Sequence, residues 1–203
     1  MRPNQARPLR SYRFAVLWAL ATSVGTFLGG WLGLYAGFSA GSQVEQWRGQ
    51  THSSQLGLLV VVLIGFAVAA AVTATIQQQL LKRKLIETSG WVLYSVAAAA
   101  LSAVTMNLCA QFTAVPINPG GISGGVGMGV AVGVAQGWVL RTLSYRALVW
   151  MPVNALAGGL GFGLLHGFAP LATLPYGLLT AAALSWLLQH GAKSSLKTKA
   201  PVV

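Results

Sequence analysis

The sequence has very few acidic residues. Glu45 and Glu87 are the only two, whereas Lys and Arg together number 13 in a chain of 203 residues. Charged residues of both signs make up 7% of the chain and hydrophobic residues 55%, while about a quarter of an ordinary soluble domain is charged. The composition therefore excludes an ordinary soluble domain, and the shortage of carboxylates argues against acid–base catalysis.

Residues that ligate metals or act as nucleophiles are equally scarce. The single cysteine, Cys109, excludes an intramolecular disulfide and is too little for a zinc or iron–sulfur site. The three histidines, His52, His166 and His190, have no partner at a spacing such as H-x-x-x-H. The letters G-x-S-x-G occur once, from Gly121 to Gly125, but within a glycine-rich stretch that no strand precedes, so they do not form a nucleophile elbow, and the chain has no Walker phosphate loop. We therefore expect no enzyme activity, no metal and no cofactor.

What the chain has instead is six long apolar runs. Each is close to the roughly 20 residues that cross a hydrocarbon core, and none has a charged residue in its middle. Because intramembrane ionisable residues usually mark proton relays and ion-coupled transport, their absence argues against an ion-driven pump. The sequence predicts an all-α integral membrane protein with six transmembrane helices, at about 14–38, 56–78, 90–110, 122–140, 147–166 and 170–189.

The basic residues predict the orientation of these helices. All of them except Arg48 lie in the N-terminal segment 1–13, in the turns after the second and fourth spans, or in the C-terminal tail 190–203. The positive-inside rule makes that side, and both termini, cytoplasmic. The first apolar run is longer than the core of a signal peptide, so we interpret it as a retained span. Tryptophans near the cytoplasmic ends predict an interfacial aromatic belt, formed by Trp18, Trp91, Trp138, Trp150 and Trp186.

Two stretches of the chain, about 65–101 and 124–160, match each other at an offset of 59 residues. Gln77, Leu81, Lys82 and Trp91 recur as Gln136, Leu140, Arg141 and Trp150. The copies are two-helix hairpins in parallel orientation, and the sequence before Trp18 makes span one look like half of a third copy. We expect each hairpin to be clamped at its basic turn. The glutamine would bond free backbone groups there, and Lys82 or Arg141 would offset the helix dipole.

Glycine recurs at every fourth residue in spans one and four. Such a row leaves a flat groove that lets another helix approach closely. In one interpretation the rows pack the protein's own helices. In the other, at least one row, with span one as the first candidate, faces a partner subunit or a bound lipid or pigment. The rows contain Gly25, Gly29, Gly33 and Gly37 in span one, and Gly121, Gly125, Gly129 and Gly133 in span four.

Uncharged polar side chains are the remaining candidates for a ligand site. Ser102 and Asn107 lie in the third span, and His166 lies at the outer end of the fifth. In hydrocarbon, hydroxyls and amides usually bond neighbouring helices or their own preceding turn, and an interfacial histidine is usually satisfied by water or backbone. Both the ligand-binding and the structural interpretation stay open at this point.

The second hairpin carries the motif G-x-x-x-G-x-x-Q-x-x-x-L-R, with a tryptophan nine residues later, from Gly129 to Trp150. This motif resembles that of small bacterial membrane proteins, common in cyanobacteria, that contain repeated hairpins. The first hairpin departs from it, with Ala70 and Ala74 for the glycines and Lys82 for the arginine. The resemblance implies a repeated-hairpin topology and a bacterial plasma membrane or thylakoid membrane. It implies no activity.

Two functions follow as hypotheses from these patterns. The first is a non-catalytic protein that acts by helix packing, as a subunit or assembly partner of a larger membrane complex, such as a photosynthetic one. The alternative is a solute-binding or permease component for a small neutral or weakly polar solute. Membrane lipids and other membrane subunits are the expected partners, and nucleic acid is not.

Overall fold

The computed structural model describes residues 8–47, 49, 55–83, 88–112, 122–141, 145–164 and 169–197. Within these ranges the chain is helical apart from short turns and contains no strand, which confirms the all-α class. Six α-helices occur in the described residues: α1 Pro8–Trp47, α2 Gln55–Lys82, α3 Trp91–Phe112, α4 Ile122–Leu140, α5 Trp150–Gly158 and α6 Ala169–Lys197.

Four of the described helical segments are long and apolar enough to cross a membrane. They are Tyr12–Trp47, Gln55–Lys82, Trp91–Cys109 and Ser123–Leu140. These segments match the first four predicted spans. Helices form there because an apolar environment offers the backbone no hydrogen-bond partners other than its own.

Two helices continue well past the predicted spans. Helix α1 ends at Trp47 and not near residue 38, and α6 continues to Lys197, past residue 189. The hydroxyl of Ser39 donates to the Tyr35 carbonyl at 2.8 Å within this extension of α1. Hydropathy marks only the hydrocarbon-facing part of a helix. The backbone hydrogen bonds continue into polar surroundings, so the stretch 39–47, predicted as loop, is helix.

The fifth predicted span, at about 147–166, is described up to Leu164 and is helical there but not uniform. A 3-10 turn, Tyr145–Val149, leads into the nine-residue α5, and a π-helical turn, Gly159–Leu164, follows it. Three glycines stand in the π turn (Gly159, Gly161 and Gly163). Glycine favours no single helical conformation, so this segment departs readily from regular α geometry.

The helices form a closed ring. Each packs against the next along the chain, and α6 returns to pack against α1. Among the described residues, helices that are not neighbours in this ring meet only through side chains. The interior of the ring is therefore built by side chains, and it contains both the core and the site described below.

The glycine row of α1 packs against α2. A Cβ added at Gly29 would lie 2.7 Å from the Ala69 carbonyl oxygen, and one added at Gly33 would collide with the Gly65 carbonyl oxygen. Gly25 and Gly37 face Thr73 and Val61 in the same register. Because α2 of the same chain packs against these four glycines, the glycine row of span one faces the interior of the protein and not a partner subunit.

The glycine row of α4 packs against α5 in the same way. A Cβ at Gly129 would collide with the Asn154 carbonyl oxygen, and one at Gly133 would lie 2.9 Å from the Met151 Cα. Gly125 lies against Gly158 of the neighbouring helix. Gly121 lies outside the described residues. Both rows therefore bring backbone against backbone inside the chain, as the first of the two interpretations predicts.

Candidate functional site

Three tryptophans from the N-terminal parts of alternate helices pack together at the centre of the ring. Trp18 of α1, Trp91 of α3 and Trp150 of α5 are fully buried. Their ring centroids are 6.3 Å, 6.3 Å and 6.5 Å apart, a nearly equilateral triangle of tilted and edge-to-face contacts. We call these residues the tryptophan cluster. Trp91 and Trp150 open their helices and Trp18 lies in the first third of α1, so α1, α3 and α5 lead away from the cluster in the same direction.

The tryptophan cluster corrects the prediction of an aromatic belt. Trp138 and Trp186 are exposed on the outside of the bundle, at 57% and 37% of their surface, as a belt requires. Trp18, Trp91 and Trp150 have no exposed surface and lie in the protein core. Their position near the ends of apolar runs fits both locations, so hydropathy alone does not separate them. The three buried tryptophans pack against one another, which removes their rings from both lipid and water, whereas Trp138 and Trp186 stay on the surface.

A layer of polar side chains lies one helical turn beyond the tryptophans. In each odd-numbered helix the residue four positions after the tryptophan is polar and buried, and in each even-numbered helix a buried polar residue lies four positions before a buried leucine. The polar residues are Thr22, Ser95 and Asn154 on the first set, and Gln77, Gln136 and Thr180 on the second; the leucines are Leu81, Leu140 and Leu184. We call the six polar residues the polar layer.

This pattern completes the third copy of the repeat. The hairpins α2–α3 and α4–α5 contribute the first two, and α6 together with α1 contributes the third. In that unit Thr180 and Leu184 occupy the places of the glutamine and leucine, and Trp18 and Thr22 complete it. The third unit is therefore assembled from the two ends of the chain, and its contact closes the ring.

Gln136 is the central residue of the polar layer. Its side-chain nitrogen donates to Gln77 Oε1 at 3.3 Å and to Ser95 Oγ at 3.0 Å, and its oxygen accepts from Trp150 Nε1 at 3.0 Å. Gln77 in turn donates from Nε2 to Thr22 Oγ1 at 3.1 Å. One network thus links α1, α2, α3, α4 and α5 by side-chain hydrogen bonds in an apolar interior.

The remaining bonds of the layer involve α6. The Tyr176 hydroxyl donates to Asn154 Oδ1 at 2.7 Å, and Asn154 Nδ2 donates to the Trp150 carbonyl at 2.8 Å. Trp18 Nε1 donates to Thr180 Oγ1 at 3.2 Å. Trp91 Nε1 is buried and has no hydrogen-bond partner. The indole nitrogen of the tryptophan cluster is thus bonded to the polar layer in two units and has no partner in the third.

The predicted hairpin clamp separates into two groups in the structure. Gln77, Gln136, Trp91 and Trp150 lie together in the interior, where the glutamines bond side chains and not the free backbone groups expected at the turns. Lys82 and Arg141 are exposed. The Arg141 guanidinium lies over the Trp138 ring, 3.1 Å from its centroid. The basic residues are therefore surface neighbours of the motif and do not belong to the buried network.

A central cavity of about 420 Å³ lies directly above the polar layer. Gln77, Ser95 and Gln136 form its polar floor, together with Thr26 and Tyr176. Aromatic and aliphatic side chains form most of the walls, including Phe27, Trp31, Phe66, Met128 and Val132. None of the described lining residues carries a charge. The cavity suits a molecule that is mostly apolar and has a polar group at one end.

Thr26 is the most informative residue of the cavity. Its side chain is buried, at 8% exposure, and its Oγ1 has no hydrogen-bond partner. Thr73, which also lines the cavity, donates to the Ala69 carbonyl of its own helix at 2.9 Å, the usual arrangement for a helical threonine. An unsatisfied buried hydroxyl costs about 1–3 kcal/mol. Thr26 therefore lines the cavity and carries a buried hydroxyl that has no partner.

The other predicted ligand residues lie elsewhere. Ser102 is buried but donates to the Ala99 carbonyl of its own helix at 2.8 Å. Asn107 is buried near the far end of α3. Neither is among the described residues that line the cavity. His166 lies outside the described residues. The structure therefore shifts the candidate site from Ser102 and Asn107 to the interior faces of α1, α2 and α4, with Ser95 of α3 and Tyr176 of α6.

Sequence reasoning did not identify the polar layer, although a signal for it was present. Tryptophan followed four positions later by Thr, Ser or Asn occurs in three helices, at Trp18, Trp91 and Trp150. Thr26 and Tyr176 have no such signal in the sequence. Thr26 is distinguished by a hydroxyl that has no hydrogen-bond partner, and Tyr176 by its bond to Asn154, and both depend on how the helices pack.

Comparisons with protein-family models, with curated proteins and with solved structures found no match to this chain.

Proposed function

We propose that the protein is a membrane-embedded binding protein for a small uncharged molecule, and therefore a solute-binding or permease component. The central cavity is the observation that carries this proposal. Its volume of about 420 Å³ lies within the range of roughly 300–1,000 Å³ found for small-molecule sites. Like those sites, it has mainly apolar walls and a few converging polar groups.

The other hypothesis, a subunit that acts by helix packing, loses one of its supports. It drew on the uncharged spans, on the lack of a catalytic motif and on glycine rows that could receive a partner helix. Those rows are filled by α2 and α5 of the same chain. The apolar side chains exposed on the outside of α1, such as Leu20, Leu28 and Leu32, are accounted for by contact with lipid and indicate no particular protein partner.

The proposal includes a topology of six spans with both termini in the cytoplasm. Two features support this topology. Helices α1, α3 and α5 run in the same direction, as alternate spans do. Four helices of the closed ring are long and apolar enough to cross the membrane, and α5 and α6, which pack in the same ring, would then lie in the membrane beside them. The exposed basic residues Arg13, Lys82, Arg83 and Arg141 lie toward the end of the bundle that holds the tryptophan cluster, which the positive-inside rule places in the cytoplasm. The cavity then lies on the outer side of the tryptophan cluster. A bacterial plasma or thylakoid membrane follows only from the resemblance.

A cavity-filling substitution tests the binding function. Gly30 lines the cavity, and a Cβ built there meets no atom within 4 Å, so Gly30→Phe places a ring in the empty space. We expect the wild-type protein, released from its native membrane in nanodiscs, to carry a small molecule detectable by native mass spectrometry. Gly30→Phe should abolish that adduct without lowering the thermal stability.

Leu28→Phe is the matched control for this experiment. Leu28 lies on the same helix and is 46% exposed on the outside of the bundle, so the new ring faces lipid. The control should retain the adduct at the wild-type level. An adduct that survives in Gly30→Phe, or that is absent from wild type in nanodiscs drawn from the native membrane, would contradict a binding function for the cavity.

A further inference from the structure

We infer that the ligand is an elongated, uncharged amphiphile whose single carbonyl or hydroxyl group lies at Thr26, with its apolar body extending away from the tryptophan cluster. This inference rests on the proposed binding function and specifies the chemistry of the same cavity. It follows from three features: the length of the lined space, the absence of charge, and the position of the one unsatisfied hydroxyl.

The length of the cavity indicates an elongated molecule. On α2 the lining residues extend from Val61 to Gln77 and on α4 from Gly124 to Gln136. At 1.5 Å per residue these stretches are about 24 Å and about 18 Å long. A compact polar solute such as a sugar or an amino acid would leave most of that length empty, whereas a chain or a row of rings would fill it.

The chemistry of the lining indicates a neutral molecule. The described lining residues include no Lys, Arg, His, Asp or Glu. A charged group placed there would lose its hydration without gaining an ion-pair partner, and burial of an unpaired charge is strongly unfavourable. The walls formed by Phe27, Phe66 and Met128 instead favour hydrocarbon, unsaturated or aromatic groups, which pack well against aromatic rings and thioether sulfur.

The register of α1 on α2 fixes where the polar group of the ligand would lie. Gly25 faces Thr73 across the helix pair, and Thr22 accepts a hydrogen bond from Gln77. Thr26 is therefore level with Thr73, one turn above the floor formed by Gln77. A turn of the Thr26 side chain about its Cα–Cβ bond would bring the hydroxyl into the cavity, where a carbonyl or hydroxyl oxygen of the ligand would accept its hydrogen bond. Among the described lining residues, Thr26 is the one whose buried hydroxyl lacks a partner.

A chain-matched set of probes tests this inference with the full-length protein in lipid nanodiscs. Dodecanol and methyl undecyl ketone are the neutral amphiphiles, dodecanoate and dodecylammonium the charged ones, and dodecane the pure hydrocarbon. We expect the two neutral amphiphiles to bind at least about tenfold more tightly than the charged probes, and several-fold more tightly than dodecane, measured by competition for the cavity and by the rise in melting temperature.

Two threonine substitutions locate the polar group. Thr26→Val should remove the advantage of dodecanol over dodecane, a loss of about two- to tenfold for one hydrogen bond. Thr73→Val should leave it unchanged, because the Thr73 hydroxyl is already bonded to Ala69. Thr26→Val should also fold at least as stably as wild type, because it removes an unsatisfied buried hydroxyl.

The outcomes separate this inference from the proposed function. Equal binding of dodecane and dodecanol, which a cavity filled by the acyl chain of a bilayer lipid would give, overturns the inference. So does tighter binding of a charged probe, or an equal loss in Thr26→Val and Thr73→Val. In each of these cases Gly30→Phe would still abolish binding and the binding function would stand. Binding that Gly30→Phe does not affect overturns both.

Discussion

The two hairpins α2–α3 and α4–α5 carry the same residues at matching positions but use them differently. In the second hairpin the indole of Trp150 donates to Gln136 of the preceding helix at 3.0 Å. In the first, the indole of Trp91 has no partner, and Gln77 bonds Thr22 of α1 and accepts from Gln136. In the second copy the tryptophan and the glutamine bond each other, whereas in the first the glutamine bonds residues of the other two units.

The helices also approach each other differently in the two copies. Gly129 and Gly133 let α4 contact the backbone of α5, whereas Ala70 and Ala74 stand at the matching positions of α2 and are buried in the core. The turns differ as well. Gly90 enters α3 in a left-handed conformation, with φ of 80°, while the matching Val149 has a helical φ of −62° and ends a 3-10 turn. A shared sequence motif thus fixes the layer to which a residue belongs without fixing its partner.

The largest expected difference between the copies concerns the glycines. In Gly129→Ala the new Cβ would collide with the backbone carbonyl of Asn154, and backbone cannot move aside as a flexible side chain can. We expect a loss of about 1–3 kcal/mol in unfolding free energy, the usual cost of overpacking, measured by reversible unfolding in mixed micelles. Gly127→Ala is the control, because its Cβ would lie 3.6 Å from Met106 Sδ, an ordinary contact. A loss in the control as large as in Gly129→Ala would contradict this account.

The two glutamines provide the next comparison. Gln136→Leu removes three side-chain hydrogen bonds and leaves Trp150 Nε1 unpaired, whereas Gln77→Leu removes two. Hydrogen bonds inside membrane proteins contribute about 0.6 kcal/mol each on average, so we expect losses of about 2 kcal/mol and about 1 kcal/mol. Both are measured as unfolding free energies under the same conditions. A greater loss for Gln77→Leu would show that Gln136 is not the central residue of the polar layer.

Much of this fold is predictable from the sequence because the membrane reduces the choices. Apolar runs such as those at 56–78 and 122–140 must be helical, and α2 and α4 contain them. The recurrence of Gln77 and Trp91 as Gln136 and Trp150 also predicts that these residues play equivalent structural roles. The pattern does not show which side of a helix faces the interior of the bundle. For that reason Trp18, Trp91 and Trp150 were expected in a surface belt, although they lie in the core.

The candidate site was less predictable, for two physical reasons. The third unit is divided between the ends of the chain, and Thr180 replaces a glutamine there, so no single stretch of sequence displays it. The significance of Thr26 depends on a bond that it does not make. Thr26 and Thr73 are the same residue type in apolar helices, and only the arrangement of α1 against α2 separates a free hydroxyl from a satisfied one.

The smallest expected effect concerns the indole nitrogens and bears most directly on the difference between the copies. Trp150→Phe and Trp91→Phe remove similar ring volume from the tryptophan cluster, so each should destabilise the protein through lost packing. Trp150→Phe also removes the bond to Gln136, while Trp91→Phe removes a buried donor that has no partner. We therefore expect Trp150→Phe to cost about 1 kcal/mol more in unfolding free energy.

The double substitution Gln136→Leu with Trp150→Phe checks the origin of that difference. If the extra cost comes from the hydrogen bond, the two changes should be less than additive, because the bond can be lost only once. The matching pair, Gln77→Leu with Trp91→Phe, should be additive, because Gln77 bonds Thr22 and Gln136 and the indole nitrogen of Trp91 has no partner. Equal coupling in both pairs would mean that the two hairpins use their shared residues alike.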